Sequence, residues 1–428
     1  MGEFAINTQS KNDNSTVLDK RLFVILLVVF VQILGASMVL PILPLYAKNQ
    51  FGMSENTVTL LITAFFAAQF IAGPIIGRLS DNYGRIPVLV VSQIGTVISF
   101  IGLGIAGQVW LLFAARILDG ITGGNIIVAQ AYVTDIVPKE KRTQALGYIF
   151  LAFGVGFIFG PAMGGILAST FSYQTPYFVA AIAASVVVIL TATVLEETVT
   201  KEQQKVNQQK KGQELTIRNV LTNAPLMAIL AIVFGSQFAF AMLQSTYSLF
   251  GEAVIFSNRT EDVELYIGLL FGMFGVGQIF TQLYLLKRLT KSYGESPLVI
   301  IGTALRSISM YAIIIFITPI SASIGVILFA LGSGIQIPAL QSLITNTVPD
   351  NRRGNVLGLF QSSMSLAIIF GSGLAGTLFL IAPQMPYIVG GTLYAVLLIP
   401  AYFLMRWAKR HENDEPQQEM TPVAASGD

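Results

Sequence analysis

Residues 73–87 read GPIIGRLSDNYGRIP, a polar island carrying Arg78, Asp81 and Arg85 inside otherwise apolar sequence. Upstream, TLLITAFFAAQFIA (59–72) holds no charge, and downstream the apolar run resumes at once with IPVLVV (86–91). So short a polar interval leaves room only for a tight turn. The stretch therefore reads as two long apolar segments reversing direction at one face of a membrane.

Composition extends that reading to the whole chain. Of 428 residues, 54% are hydrophobic and 11% charged, against about a quarter charged in soluble domains. The mean hydropathy is +0.69. With no cysteine there is no disulfide framework and no thiolate metal site, and the single histidine, His411, stands in a polar tail. No metal and no cofactor is expected, and no nucleic-acid partner.

A hydrocarbon layer about 30 Å thick takes roughly 20 apolar residues per helix. Twelve such runs are predicted, near 22-46, 58-77, 86-107, 109-133, 143-168, 173-195, 222-250, 264-286, 297-317, 320-346, 353-380 and 385-407. They are too long and unbroken for barrel strands. The first follows about twenty polar residues and exceeds a signal-peptide core, so it reads as a retained span. With the amino terminus cytoplasmic, 21 of the 25 Lys and Arg fall on the cytoplasmic side; Lys48 and Arg259 fall outside, and Arg116 and Arg306 within spans. The basic bias fixes that orientation, with both termini cytoplasmic.

The polar segment 196-221, containing KEQQKVNQQKKGQE, separates six spans from six. The expected organisation is a tail at 1-21, a six-helix bundle at 22-195, the linker at 196-221, a second bundle at 222-407 and a polar tail at 408-428. An internal repeat joins the halves. VPKEKRTQALG (137–147) and VPDNRRGNVLG (348–358) share Val, Pro, Arg, Leu and Gly at an offset of 211, and at one residue less Tyr83, Gly84 and Pro87 meet Tyr293, Gly294 and Pro297. Six spans between copies preserve orientation, so the duplication is parallel, about an axis along the membrane normal.

These motifs resemble those of the major facilitator superfamily. GRLSDNYGRIP matches its loop-two-three signature at Gly77, Leu79, Ser80, Asp81, Gly84 and Arg85, with Ile86 where a second basic residue is usual. RILDGITGG (116–124) resembles the fourth-span signature, and LGASMVLPILP (34–44) the end of span one. GYIFLAFGVGFIFGPAMGG (147–165) is similar to the fifth-span pattern of drug antiporters at Gly147, Gly156, Gly160, Pro161, Gly164 and Gly165. Small residues of this kind also let helices approach closely whatever the function. The resemblance is closest to the twelve-span drug/proton antiporters that include tetracycline exporters.

It implies an all-α membrane protein of twelve transmembrane helices in two six-helix bundles, a monomeric multi-pass transporter in a cell membrane, not an enzyme. It also implies a latch, in which Asp81 accepts hydrogen bonds at the amino end of span eleven near Arg353 and Gly354, with Arg142 as a cationic neighbour. A solvated turn whose charges set topology is the plainer alternative.

No G-x-x-x-x-G-K-(S/T) loop occurs, so the energy source expected is an ion gradient rather than ATP. Intramembrane ionisable residues are functional candidates, and the spans hold only Arg116, Asp119 and Arg306. Arg116 and Asp119 are three apart on one helix and can meet. Burial and a neighbouring guanidinium pull a carboxyl's proton affinity in opposite directions, so moving the partner would alternate its protonation. Asp119 is thus the proton-site candidate, against the alternative of a permanent structural ion pair; Arg306 reads as snorkelling or pairing. The cavity implied by the fold would be lined by Gln32, Asn125, Gln237, Gln244, Gln336 and Gln361, with Phe234, Phe238 and Tyr247 as aromatic surface, although helix packing would produce the same stripes. Gln32 stands roughly where many tetracycline exporters carry an acid. The function expected is export of an amphipathic organic solute or drug against protons, with a proton-coupled metabolite or sugar symporter as the alternative and a non-transporting receptor behind both.

Overall fold

Where no water is available to satisfy backbone N–H and C=O groups, a spanning segment must close its hydrogen bonds internally. Each predicted apolar run is accordingly helical. The computed structural model describes residues 20–123, 125–138, 142–199, 222–257, 262–315, 317–345, 347 and 353–414, of which 142–144, 146, 150, 353–355 and 409–414 are described by backbone alone. Most of the predicted tails and linker, at 1–19, 200–221 and 415–428, lies outside the described residues.

Twelve helices among the described residues are long and apolar enough to cross a membrane. Spans one to three are α1 (Lys20–Phe51), α2 (Glu55–Tyr83) and α3 (Arg85–Gly104). Span four is α4 (Val109–Thr122) with α5 (Asn125–Ile136), and spans five and six are α6 (Arg142–Thr170) and α7 (Thr175–Val194). Span seven, α8 (Ala224–Phe250), runs into a π-helical turn at Gly251–Ile255. Span eight joins α9 (Val263–Phe280), a second π-helical turn at Thr281–Leu285, and α10 (Leu286–Tyr293). α11 (Glu295–Ile315), α12 (Pro319–Thr345), α13 (Arg353–Ile381) and α14 (Met385–Asp414) complete the set.

The fourth span departs from the expected uninterrupted run. Its helix pauses at Gly123, in the helix-poor sequence Thr-Gly-Gly-Asn. Gln69 of α2 donates its amide to the Gly123 carbonyl at 3.3 Å, so the pause leaves that acceptor satisfied.

The repeat survives in local geometry. Gly84, between α2 and α3, has φ 105°, and Gly294, between α10 and α11, has φ 73°. Only glycine takes such values without steric cost, which is why both copies keep it. Packing repeats too: α3 lies against α4 and α7, and α11 against α12 and α14.

Two compact units emerge, one from the described residues of Met1–Val39 and Ala68–Lys211, the other from Leu40–Ala67 and those of Gly212–Asp428. The second unit takes the carboxyl end of α1, from Leu40 onward, and the amino half of α2. In the first unit Leu22, Ile25, Leu89, Val128, Tyr132 and Ile149 form an apolar core, and in the second Ile229, Leu298, Leu340, Phe360 and Leu404 do so. The opposite faces are apolar as well, with Ile98, Ile182, Ile189, Ile308 and Ile399 all exposed. In water such patches would be a liability; against lipid they are the expected surface.

Candidate functional site

The turn between α2 and α3 gathers around Arg85, whose side chain is largely buried although it lies at a helix end. NH1 of Arg85 pairs with Asp81 Oδ1 at 2.6 Å and donates to Ser80 Oγ at 2.7 Å, while Nε donates to Asp135 Oδ2 at 3.1 Å. A carboxylate that sequence reading left in the linker completes the turn. Glu197 accepts from the backbone N–H groups of Arg85 and Ile86 at 2.8 and 3.0 Å, the open donors of the α3 amino end. A Cβ on Gly84 would fall 2.5 Å from Glu197 Oε2, so glycine is required there twice over. Gly77, by contrast, has nothing within 4 Å of a Cβ position. Asp81 thus has Arg85 as partner within its own unit, and the side chains of Arg142 and Arg353, named with the latch, lie outside the described ones.

Within α4, Arg116 NH1 lies 2.8 Å from Asp119 Oδ2, and both residues are at most 4% exposed. The i, i+3 spacing brings the two together on one helix face as expected. A buried pair of this kind tolerates removal of one partner poorly, since the other charge is then stranded.

The glycines of α6 do pack. Gly156 faces Ile33 and the Leu34 backbone at 3.1 Å from its Cβ position, Gly164 faces the Met38 carbonyl at 2.8 Å, and Gly160 abuts Ser37. Ser37 Oγ also donates to the Gly156 carbonyl at 3.0 Å. Pro161, Gly164 and Gly165 are buried on the same helix, whereas Gly147 has nothing within 4 Å of a Cβ position. The close approach of α1 and α6 accounts for three of the five glycines.

In the second unit a small recess opens between α8, α12 and α13, lined by Ser236, Gln237, Gln336, Leu340, Phe360 and Met364. Two of the predicted amides, Gln237 and Gln336, therefore line one recess. Gln237 Oε1 is buried without a hydrogen-bond partner. Gln336 is fully engaged: its Nε2 donates to Ser236 Oγ at 3.1 Å and Thr303 Oγ1 at 2.6 Å, and its Oε1 accepts from Arg306 NH1 at 2.5 Å.

That arginine corrects the snorkelling expectation. Arg306 is 0% exposed and lies over Phe329 and Tyr394, 4.7 and 4.6 Å from the ring centroids. Its NH2 reaches the Ser236 carbonyl at 3.4 Å, which also accepts from Tyr394 Oη at 2.7 Å. No Asp or Glu forms an ion pair with it among the described residues. Aromatic faces and amide oxygens stand in for a counterion. The repeat offset of 211 places Asn125 opposite Gln336, and Asn125, buried in the first unit, has neither amide atom hydrogen-bonded.

The remaining predicted pocket residues are spread out. Phe234 and Phe238 stack at 6.2 Å on α8, with Phe234 exposed. Gln244 is buried deeper on the same helix, and Tyr247 is buried against Phe271, 5.6 Å between centroids. Gln32 is half-buried on α1, and Gln361 is exposed on α13. A further cluster was not anticipated: Lys48 lies 3.1 Å from Glu252 and 3.7 Å from Glu55, and Asn49 donates to Glu252 at 2.8 Å. Glu252 sits on the π-helical turn after α8, so no pattern along the sequence points to its partner.

Comparison with known proteins adds an independent line. The family model described as Major Facilitator Superfamily matches residues 25–259 and 258–425. The chain is 29% identical to the class H tetracycline resistance protein of Pasteurella multocida, covering 91% of this chain and 97% of that protein. It is 28% identical to multidrug resistance protein 1 of Bacillus subtilis (strain 168), covering 86% and 91%. Among solved structures, a peptide transporter POT in complex with sulfate superposes with a TM-score of 0.73 at 15% identity, covering 91% of this chain and 94% of that one.

Proposed function

The chain belongs to the Major Facilitator Superfamily, a multi-pass protein of the cell membrane, and from that premise we propose that it exports an amphipathic organic solute or drug in exchange for protons by alternating access. The observation that carries the reading is Asp119, a carboxylate held beside Arg116 in the buried part of a membrane span. Antiport requires a site whose protonation differs between the two access states, and a buried acid with a movable cationic partner meets that requirement.

The rest of the assignment follows from where the other groups stand. The glycines of the antiporter-like pattern on α6 let α1 and α6 approach closely. The Gln237–Gln336 recess and the stacked Phe234 and Phe238 offer directional amides and aromatic faces to a solute. Asp81, half-exposed beside Arg85, is available to leave that partner for the amino end of span eleven in one access state. Similarity to tetracycline and multidrug resistance proteins supports efflux as the direction. Both termini face the cytoplasm in this reading, and the protein works as a monomer.

The test uses everted membrane vesicles with an acid interior. Addition of a transported compound should draw protons out and dissipate the gradient. A broad panel of drugs that leaves the gradient unchanged at full expression would refute antiport, and a compound loaded into the lumen that leaves together with the protons would establish a symporter instead.

A further inference from the structure

We propose that the recess between α8, α12 and α13 takes an organic anion, an aromatic carboxylate being the simplest example, and that Arg306 is the buried cation that selects it. The proposal rests on the exporter reading only in calling this anion a substrate.

Three observations converge. Arg306 is completely buried and has no acidic partner among the described residues. The described acids of its unit, Glu55, Glu252, Asp262, Glu264 and Glu295, stand at helix ends or turns, as do Glu412 and Asp414 at the close of α14. Among the described residues the apolar interior around the recess therefore holds one positive charge and no negative one. In a low dielectric that charge is felt well beyond hydrogen-bond range, and a cationic solute brought into the recess would meet like-charge repulsion.

The hydrogen-bond polarity points the same way. Arg306 NH1 binds Gln336 Oε1, which turns the Gln336 amide nitrogen onto Ser236 Oγ and Thr303 Oγ1. Because Ser236 Oγ accepts from Gln336, its own proton is left to donate elsewhere, and Ser236 lines the recess. The chain from guanidinium to amide to hydroxyl is polarised in one direction, and each link strengthens the next as a donor. Beside it, Gln237 carries an amide oxygen with no partner, and rotation of that amide by 180° would present its NH2 group instead. The recess thus offers the Ser236 hydroxyl as a donor, and the Gln237 amide as a second once turned, a pair that suits a carboxylate. Arg306 is covered on its flat faces by Phe329 and Tyr394 and does not itself reach the solute. It is a positioning and specificity residue acting through Gln336 and through its charge.

The discriminating variant is Gln336→Glu. It preserves the length of the side chain and the contact with Arg306, so a purely structural role for the arginine is satisfied at least as well, while the positive charge is neutralised. Three probes share one ring system: 2-naphthoate, 2-naphthamide and (2-naphthylmethyl)trimethylammonium. Their binding to the purified full-length protein is measured by equilibrium dialysis. The wild type is expected to bind naphthoate about tenfold or more tighter than the ammonium probe, with the amide between. In Gln336→Glu that preference should vanish or invert, and Arg306→Lys should keep part of it. The proposal is overturned if the wild type binds the ammonium probe as well as naphthoate, if it binds none of the three, or if the preference persists unchanged in Gln336→Glu. An ammonium preference in a protein that still moves drugs against protons leaves the exporter reading standing. Naphthoate binding without any proton-linked transport removes that reading and leaves the anion site.

Discussion

The hydroxyls of Thr63 and Ser372 meet at 2.9 Å, joining α2 to α13 across 309 positions of the chain. Small residues make the approach possible. A Cβ on Gly376 would fall 2.5 Å from Asn56 Cα, and one on Gly373 would rest 3.7 Å from Thr63 Oγ1. In the proposed alternating-access cycle the amino half of α2 and α13 part once per turnover. The chain has no cysteine, so the pair Thr63→Cys and Ser372→Cys can be oxidised without competing thiols. Oxidation should arrest transport and a reductant restore it, with each single variant active throughout. Full transport by cross-linked protein would show that α2 and α13 stay together through the cycle.

Asp81→Asn should slow transport sharply and leave folding nearly untouched. In the structure Asp81 pairs with Arg85, but its side chain is 46% exposed, and ion pairs this wet contribute about 0–1 kcal/mol. Arg85 also keeps Asp135 and Ser80 as partners. A large loss of rate at an unchanged melting temperature is therefore expected, because in the proposed function the charge serves the latch rather than the turn. Equal loss of both would make Asp81 a folding residue, and an unchanged rate would remove the latch.

The linker should be dispensable only in part. A cut or insertion between Lys201 and Gly212 is expected to leave transport largely intact when both pieces are made, since the composition there offers no core to disrupt. Glu197, a few residues earlier, is different. Besides Arg85 and Ile86 it accepts from the N–H groups of Thr198 and Val199, each at 3.0 Å. Glu197→Ala should cost about 1–2 kcal/mol, as the loss of a helix cap does, with Glu197→Gln losing less. A thermal unfolding series on the purified variants measures the order, and an Ala variant as stable as wild type would make the capping bonds incidental.

The spans and the duplication were legible because the membrane writes them as single-sequence patterns: about 20 apolar residues per crossing, and turns marked by the same Tyr-Gly at 83–84 and 293–294. The Arg116–Asp119 pair was legible for a similar reason, being local to one helix. Arg306 was visible as a charge but not as a hub, because its partners Gln336, Ser236 and Tyr394 lie 30, 70 and 88 positions away on three other helices. Glu197 was hidden by its company, a polar run that resembles plain linker. The pause at Gly123 did have a signal, two successive glycines, but glycine inside membrane helices is too common for the pair to announce a break. What eluded the sequence was tertiary: which distant groups share a buried charge.

Asp119→Asn should abolish uphill export while leaving binding, or downhill exchange of substrate, at least partly intact. Asp119 is 3% exposed and accepts from Arg116 at 2.8 Å. If protonation of Asp119 is the coupling event, asparagine mimics the protonated state permanently, and the cycle can no longer release a proton between access states. The proposed substrate groups Gln237 and Gln336 belong to the other compact unit and are expected to keep their arrangement. A structural ion pair predicts a different pattern. Asparagine would strand a buried guanidinium at a cost of about 3–5 kcal/mol, folded protein would fall, and Arg116→Gln in the same chain would restore both the yield and the coupling. Substrate accumulation against pH in everted vesicles, for Asp119→Asn alone and with Arg116→Gln, separates the two. Coupling that stays lost in a well-folded double variant assigns the proton to Asp119. Coupling regained there moves it to another acid, with Glu252, held between Lys48 and Asn49, as the first to replace.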